Sequence, residues 1–211
     1  MPLHSTKSPL TLSLSPAGRG EGEGAFGFYL MGKPKEPKPA KLFMSFITSD
    51  DGIFHQGLQK LCSTFGGEDT ISEKFPFDFT DYYTLEMGKL LFRHFITFER
   101  LISISTLPDI KQMTNQLEEE YANPDGNRHF NIDPGYICLE HVILATTKGY
   151  AHRPYLRNGI YADLTLIYRN KSFQPLEWTY PDYRREEIIT LFNQFRKKYL
   201  EDLKGGPQRP C

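Results

Sequence analysis

The chain has 211 residues, of which 39% are hydrophobic and 14% aromatic, and its formal net charge is −1. A nearly neutral chain of this size has no overall field that would attract nucleic acid or an anionic membrane, and it is long enough for one domain with a sizeable core. No apolar run reaches the length of about 18 residues that a transmembrane helix needs, and the three cysteines form no C-x-x-C pair, so we expect a protein of the reducing cytoplasm.

The N-terminal segment differs in composition from the rest of the chain. Proline recurs at positions 2, 9 and 16 and glycine at 18, 20, 22 and 24, which is typical of a segment that cannot form a packed element. Met31 is followed by a solvated run of Lys, Glu and Pro. We therefore expect residues 1–40 to be a disordered extension, and our hypothesis is that Met31 is the true initiator, with a mis-assigned gene start before it.

The first predicted elements are a strand and a helix. A nearly continuous apolar run over residues 41–48 predicts a buried strand. The polar residues 49–51 offer side-chain oxygens for a helix N-cap, and apolar residues recur at helical spacing over residues 53–65. Two glycines at 66–67 predict the end of that helix.

The middle of the chain predicts another strand and another helix. Residues 90–98 alternate with period two, which indicates a strand, and His94 lies on its apolar face as a core histidine. Thr106 predicts an N-cap, and the apolar stripe that follows it continues to Tyr121. The turn sequence at residues 123–126 predicts the end of this helix.

The last third of the chain predicts a strand, a hairpin and a long helix. Residues 142–146 indicate a short strand, and two runs at 161–168 and 172–178 indicate a hairpin. A helical stripe over residues 184–203 predicts a C-terminal helix, and we expect residues 204–211 to be a frayed tail.

The order of these elements determines the predicted fold class. Strands and helices do not alternate regularly, so the chain does not read as a series of parallel βαβ units. We therefore predict a single α+β domain over residues 41–203, with a mostly antiparallel sheet packed with about three helices, the last one long.

Several common catalytic and nucleotide-binding motifs are missing from the sequence. Residues 27–33 match G-x-x-x-x-G-K, but Pro34 stands where a P-loop has the Ser or Thr that binds Mg²⁺. The Asn170-Lys171 pair lacks the following Asp of a guanine-reading motif. The sequence also has no His-Glu-x-x-His and no Gly-x-Ser-x-Gly. The sequence therefore does not predict a P-loop NTPase, a zincin or an α/β-hydrolase.

One polar and aromatic segment, residues 75–88, carries a candidate acidic site. Its three carboxylates, Asp78, Asp81 and Glu86, could bind a hard cation or supply an acid/base pair, with Tyr83 beside them as a ligand-binding residue. The alternative is a surface loop with buried rings and solvated acids.

Two further segments carry candidate binding residues. Asp133 lies in an Asp-Pro-Gly sequence that we interpret first as a turn. Residues 146–153 follow a predicted strand, and their hydroxyl, amine, imidazole and guanidinium groups could clamp an anionic group. The candidates in that segment are Thr147, Lys148, His152 and Arg153. The alternative is an ordinary solvated loop.

The loop before the last helix is interpreted structurally. It contains the single tryptophan, Trp178, and Asp182. We expect Asp182 to cap the C-terminal helix.

The chain resembles a bacterial family known only as domain of unknown function 4416. The strings that carry the resemblance are Phe-Asp-Phe-Thr-Asp-Tyr-Tyr, Asp-Pro-Gly-Tyr, Ala-Thr-Thr-Lys and Trp-Thr-Tyr-Pro-Asp-Tyr, together with the Lys- and Pro-rich start. The resemblance covers about residues 31–199 and implies a start near Met31. Members are sometimes labelled GTP-binding proteins, so the resemblance adds GTP binding as an alternative function, although the sequence has no P-loop. The family implies no activity and no cofactor.

These observations leave the function open between three classes. The first is a small-ligand-binding or enzymatic domain, in which Lys148 and Arg153 hold an anionic, phosphate-like group and His152 carries a proton. In it the carboxylates of residues 78–86 bind a cation or act as base, and neither metal nor cofactor is identified. The second is a non-catalytic protein-interaction module, with a protein partner or homo-oligomer, and the third is RNA binding, which the charge balance disfavours.

Overall fold

The structure is a computed structural model that describes residues 32–205. By its contacts the chain divides into a unit of residues 1–35, of which only 32–35 are described, and a unit of residues 36–211. All the elements below belong to the second unit. The predicted extension up to Met31 and most of the predicted tail lie outside the described residues.

The second unit contains nine strands and four α-helices within its described residues. In chain order they are β1 (Ala40–Thr48), α1 (Asp51–Phe65), β2 (Glu68–Ile71), β3 (Phe75–Pro76), α2 (Thr84–Met87), β4 (Phe92–Ile102), α3 (Leu107–Glu120), β5 (Phe130–Ile137), β6 (His141–Thr146), β7 (Tyr155–Arg157), β8 (Ile160–Arg169), β9 (Ser172–Pro175) and α4 (Glu186–Lys204). Short 3-10 turns at Ile104–Thr106 and Pro181–Arg184 precede α3 and α4.

All the strands belong to one antiparallel sheet. Its order is β2-β4-β1-β5-β6-β8-β7, with β3 paired to β4 and β9 paired to β8. Three of the four helices are longer than one turn, and α4 has 19 residues. The predicted α+β class, the antiparallel sheet and the long C-terminal helix are therefore confirmed.

The central strand β1 is buried on both faces of the sheet, which explains its nearly continuous apolar sequence. Because side chains alternate along a strand, Phe43 packs with Phe192 of α4 on one face. Met44 and Phe46 pack with α1 and α3 on the other face. The sheet therefore separates a core under α4 from a core under α1 and α3.

The predicted ends of α1 are confirmed. Asp50 is the N-cap, and its Oδ1 accepts a hydrogen bond of 3.0 Å from the backbone N of Ile53. Gly66 ends the helix with a φ of 97°, a conformation that L side chains rarely adopt. His94 is also the buried core histidine that the pattern predicts, stacked on Phe54 at 4.1 Å between ring centroids.

The interpretation of Asp133-Pro134-Gly135 as a turn is wrong, because these residues lie in the middle of β5. Pro134 pairs with Met44 in the register between β1 and β5. Ile132 directs its N–H and C=O away from β1, and the alternation of a strand gives Pro134 the same orientation. The missing N–H of the proline therefore removes no hydrogen bond to β1.

Other predicted elements are confirmed with different ends. β4 begins at Phe92 rather than Leu90 and continues to Ile102, and the second hairpin strand ends at Pro175. Thr106 occupies the N-cap position of α3, but its hydroxyl donates to the carbonyl of Ser103 instead of capping the helix.

The predicted capping role of Asp182 is wrong. The N-cap residue of α4 is Arg185, which has no side-chain cap hydrogen bond. Asp182 lies in the preceding 3-10 turn and forms a buried ion pair with Arg93 of β4. A buried guanidinium is a stronger partner for a carboxylate than exposed helix N–H groups.

Candidate functional site

The sheet opens between β5 and β6. Within the described residues, the register between these strands covers Gly135–Ile137 and Val142–Leu144. The preceding residues of β5, 130–134, pair with β1 on one side and lie outside the register with β6 on the other. At this opening two side chains of α3 bind the backbone of Ile132 in β5. Lys111 Nζ donates to the carbonyl O of Ile132 at 2.8 Å, and Glu118 Oε1 accepts from the backbone N of Ile132 at 2.8 Å.

A cavity of about 780 Å³ lies at this opening. It is bordered by the loop at residues 77–83, α3, β5, the segment 144–153 and the turn at 180–183, with Arg93 and Asp163 contributed by β4 and β8. Its volume lies within the range of small-molecule sites. Elements that are far apart in sequence thus build one concave surface.

Six of the nine residues that the sequence singled out line this cavity. They are Tyr83, Asp133, Thr147, Lys148, His152 and Arg153. Asp78 and Asp81 are exposed and are not among the lining residues. Glu86 is half-buried and is held behind the cavity wall by Arg128. The catalytic roles given to Asp78, Asp81, Glu86 and His152 stay predictions.

Asp133 is the carboxylate at the centre of the opening. Its Oδ1 lies 3.2 Å from Lys111 Nζ, and its Oδ2 accepts a hydrogen bond of 2.8 Å from Asn131. Burial alone would raise the pKa of Asp133, but the charges of Lys111 and Arg93 and these hydrogen bonds outweigh it, so the pKa is lowered. Asp133 is therefore an ionised hydrogen-bond acceptor at neutral pH.

Arg128 connects Glu86 to the cavity wall. Its Nε and Nη2 bind the two oxygens of Glu86 at 2.6 and 2.8 Å, and its Nη1 lies 2.5 Å from Glu118 Oε2. The hydrogen bond from Arg128 lowers the pKa of Glu86. Burial raises the pKa of Glu118, although Lys111 and Arg128 oppose the shift. Through Glu118, this network holds the α3 side chain that binds the unpaired backbone of β5.

The opposite wall is held by a second buried charge pair. Arg153 Nε donates to Asp163 Oδ2 at 2.7 Å, and both side chains are less than 5% exposed. The other nitrogens of Arg153 donate to the backbone O of Lys148 at 3.0 Å and to Tyr180 Oη at 2.7 Å. Arg153 therefore positions the 146–153 loop. Each of its three nitrogens donates one hydrogen bond inside the protein, which leaves one further N–H on Nη1 and one on Nη2.

His152 is held between two aromatic rings. Its ring centroid lies 5.0 Å from that of Trp178 and 6.1 Å from that of Tyr150, with interplanar angles of 16° and 8°. Its Nε2 is 3.8 Å from Asp163 Oδ2 and has no hydrogen-bond partner within the described protein. The stack fixes the plane of the imidazole at the cavity wall.

Lys148 differs from the other cations of the cavity. Arg93, Lys111, Arg128 and Arg153 each form an ion pair. Lys148 is exposed, and within residues 32–205 it forms no ion pair, while its Nζ lies 4.4 Å from the centre of the Tyr82 ring. Among the positively charged side chains of the lining, Lys148 is therefore the one that no carboxylate of residues 32–205 neutralises.

Residues 32–205 contain neither a metal-binding cluster nor a membrane-spanning helix. No group of three or more His, Cys, Asp or Glu side chains is placed to hold a metal ion. No helix in this range combines the length and the apolar character needed to cross a membrane.

Sequence reasoning missed five charged residues of the lining, of which four are buried and one, Arg128, is half-buried. They are Arg93, Lys111, Glu118, Arg128 and Asp163. For α3 a signal was present, since Lys111 and Glu118 are seven residues apart, as is typical of one helix face. For Arg93 the signal was a charged residue in a strand whose neighbours on the same face are apolar. The partners of these residues come from distant elements, so the sequence pattern could not identify them.

The fold defines an α+β protein built on one nine-stranded antiparallel sheet, with a cavity where the sheet opens. The chain belongs to the family described as Domain of unknown function (DUF4416), which matches residues 38–199. No curated protein matches the chain, and no solved structure does.

Proposed function

We propose that the cavity binds a small organic anion. The observation that supports this most directly is the convergence of Lys148, Asp133 and His152 on one concave surface of ligand size. Buried ion pairs hold the walls in place, so little ordering free energy would be required when a ligand binds.

The charge of Lys148 would attract the anionic group of the ligand into the cavity. A lysine whose charge is not offset by a neighbouring carboxylate attracts an anion more strongly than one in an ion pair. Thr147, the preceding residue, also lines the cavity, and its hydroxyl can donate a further hydrogen bond. A carboxylate or a phosphate would satisfy both groups.

The remainder of the ligand would contact aromatic rings. Tyr82, Tyr150 and Tyr180 line the cavity and are 62%, 61% and 44% exposed. Exposed rings around a concave surface lose apolar area to water when a ligand covers them. A ligand with a planar or apolar part would therefore bind more tightly than an inorganic anion.

A thermal-shift screen of the full chain tests this proposal. The panel contains sugar phosphates, nucleotides including GTP, amino acids, hydroxy acids and aromatic acids, and each compound that raises Tm is followed by calorimetry. A ligand at about 100 times its Kd stabilises the folded state by about 2.7 kcal/mol, which is a measurable shift.

A matched pair of lysine variants locates the binding. Lys148→Ala should weaken binding of any compound found, whereas Lys60→Ala, an exposed lysine of α1 away from the cavity, should not. If no compound of the panel raises Tm, or if Lys148→Ala binds as well as the wild type, the proposal is wrong.

A second candidate function is self-association through the segment that follows the cavity loop. Leu85 is 97% exposed and Leu90, five positions further along the chain, is 77% exposed. Large apolar side chains exposed on a surface occur at protein interfaces. Sedimentation of the wild type and of Leu85→Ser with Leu90→Ser tests it. Association in the wild type that the variant loses supports this candidate, and a monomeric wild type contradicts it.

A further inference from the structure

Arg93 is a buried cation with an unused donor. Its side chain is 8% exposed, it lines the cavity, and its Nη1 donates to Asp182. Its Nε is buried and has no hydrogen-bond partner within the described protein. Buried N–H groups are nearly always hydrogen-bonded in folded proteins, and an acceptor on a bound ligand would satisfy the Nε–H of Arg93, which no group of residues 32–205 does.

The surroundings of Arg93 restrict the direction from which a partner can approach. Its guanidinium carbon lies 4.6 Å from the centre of the Phe77 ring and 5.2 Å from that of Tyr183. The N–H groups of a guanidinium lie in its plane, so a further acceptor must approach Arg93 in that plane. In-plane binding to a guanidinium is the geometry of carboxylate recognition.

Other polar groups near Arg93 are also incompletely used. The hydroxyls of Ser45 and Tyr183 are buried, and neither has a hydrogen-bond partner within residues 32–205. Ser45 pairs with Asp133 in the sheet. Asp133 accepts one hydrogen bond on each oxygen, and each can accept another.

Charge decides which anion suits this place. Asp182 already offsets Arg93, and Lys111 and Asp133 offset each other. Within the described residues Lys148 is then the remaining uncompensated cation of the lining. A singly charged, planar carboxylate is therefore better matched than a doubly charged phosphate, because a second negative charge would be buried without a counter-charge.

We propose that Arg93 determines the ligand class of the cavity by binding a carboxylate in its plane, while Asp133 accepts from an ammonium or hydroxyl group on the same ligand. This inference rests on the proposed function and narrows its ligand to amino or hydroxy carboxylates. The ion pair with Asp182 joins β4 to the 3-10 turn, but that structural role leaves the Nε of Arg93 unexplained.

Binding of carboxylic acids and of their primary amides to the full wild-type chain tests the inference without any substitution. The probes are the amino acids, 2-hydroxy acids and aromatic acids, each with its amide, measured by calorimetry. We expect the acids to bind and the amides to bind at least about tenfold more weakly, as a lost charge-assisted hydrogen bond implies. Within the acids, removal of the amino or hydroxyl group should also weaken binding.

A conservative variant then assigns the selectivity to Arg93. Arg93→Lys keeps the charge but loses the planar donors, so we expect acid binding to fall about tenfold and the acid-to-amide ratio to fall with it. Arg157→Lys is the matched control, since Arg157 is an exposed arginine paired with Asp109, and it should leave both unchanged. Circular dichroism and Tm establish that the variants are folded.

The outcomes separate this inference from the proposed function. If compounds bind but acids and amides bind equally, or phosphates bind and carboxylates do not, the role of Arg93 is refuted while the proposed function stands. If no compound binds, both are refuted. If Arg93→Lys does not fold, the acid and amide comparison on the wild type decides, together with Asp133→Asn, which should remove the preference for an amino or hydroxyl group.

Discussion

Glu118 of α3 accepts a hydrogen bond of 2.8 Å from the backbone N–H of Ile132, on the side of β5 away from β1. In a continuous sheet that N–H would bind a neighbouring strand. Lys111 satisfies the carbonyl of the same residue. Two helix side chains thus take the place of a strand, and the space that the strand would fill belongs to the cavity.

The first prediction concerns the stability of this arrangement. Glu118→Ala should lower the free energy of unfolding by about 3 kcal/mol, because it leaves the buried N–H of Ile132 without its acceptor and removes one of the two carboxylates that Arg128 binds. Glu118→Gln should cost less, since an amide oxygen can still accept from Ile132. Urea unfolding measures both, with the exposed neighbour Glu119→Ala as control. Equal stability of Glu118→Ala and Glu119→Ala would contradict the prediction.

The second prediction concerns pH and the ion pairs of Asp69. Its carboxylate lies 3.0 Å from Lys41 Nζ, which is 1% exposed, and 2.5 Å from Lys198 Nζ. Burial raises the pKa of Asp69, but the hydrogen bonds from Lys198 and Lys41 outweigh burial, so the pKa lies below its ordinary value of 3.8. A lowered pKa stabilises the folded state above the ordinary value, and this contribution is lost as the pH falls through the folded pKa.

Asp69→Asn should therefore cost about 2 to 4 kcal/mol at pH 7. The difference from the wild type should shrink as the pH falls from about 5 to about 2. Urea unfolding at each pH measures it. Asp109→Asn, in the exposed pair with Arg157, is the control and should cost less than about 1 kcal/mol. If the difference in free energy of unfolding between Asp69→Asn and the wild type stays constant over this pH range, ionised Asp69 is not its source.

The third prediction concerns the close approach of β5 and β6. A Cβ added at Gly135 would lie 2.4 Å from the carbonyl O of Ile143 and 2.5 Å from the ring of Phe43. Because one of these contacts is backbone, Gly135→Ala should destabilise the protein by about 2 kcal/mol or more. Gly32→Ala meets no atom within 4 Å and is the control. Thermal unfolding that gives both variants the same Tm would refute the contact.

The fourth prediction concerns the turn between β8 and β9. Asn170 and Lys171 have φ values of 50° and 65°, as in a type I′ hairpin turn. Lys171→Gly should raise the free energy of unfolding by about 0.5 to 1 kcal/mol, because glycine adopts this conformation without strain. Lys171→Ala removes the same side chain but keeps the strain, so it should give no gain. A gain of equal size in Lys171→Ala would assign the effect to charge instead.

The fifth prediction concerns detection of a bound ligand. Trp178 is the single tryptophan of the chain, and its ring lies 5.0 Å from His152 in the cavity wall. A ligand that contacts His152 should change the tryptophan fluorescence at the same concentrations that raise Tm. Trp178→Phe should lose the signal while it keeps the rise in Tm. A compound that stabilises the wild type without any change in fluorescence binds somewhere else.

Local patterns predicted most of the secondary structure. The apolar run of β1, the cap at Asp50 and the stripes of α1, α3 and α4 each depend on neighbours within a few residues. β5 was missed because Asp-Pro-Gly is typical of a turn when only neighbours in sequence are considered. In the folded protein β1 supplies hydrogen bonds along this segment that a turn cannot supply, and tertiary pairing overrides the local preference.

The sequence by itself determined the class of the fold, most of its elements and six of the residues that line the cavity. The tertiary structure decided which charges meet. Arg93 pairs with Asp182 across 89 positions and Arg128 with Glu86 across 42. Separations of this size produce no periodic pattern in the sequence. An ion pair or a cavity depends on the register of strands and the docking of helices, which are set by burial over the whole domain and not by the residues beside each charge.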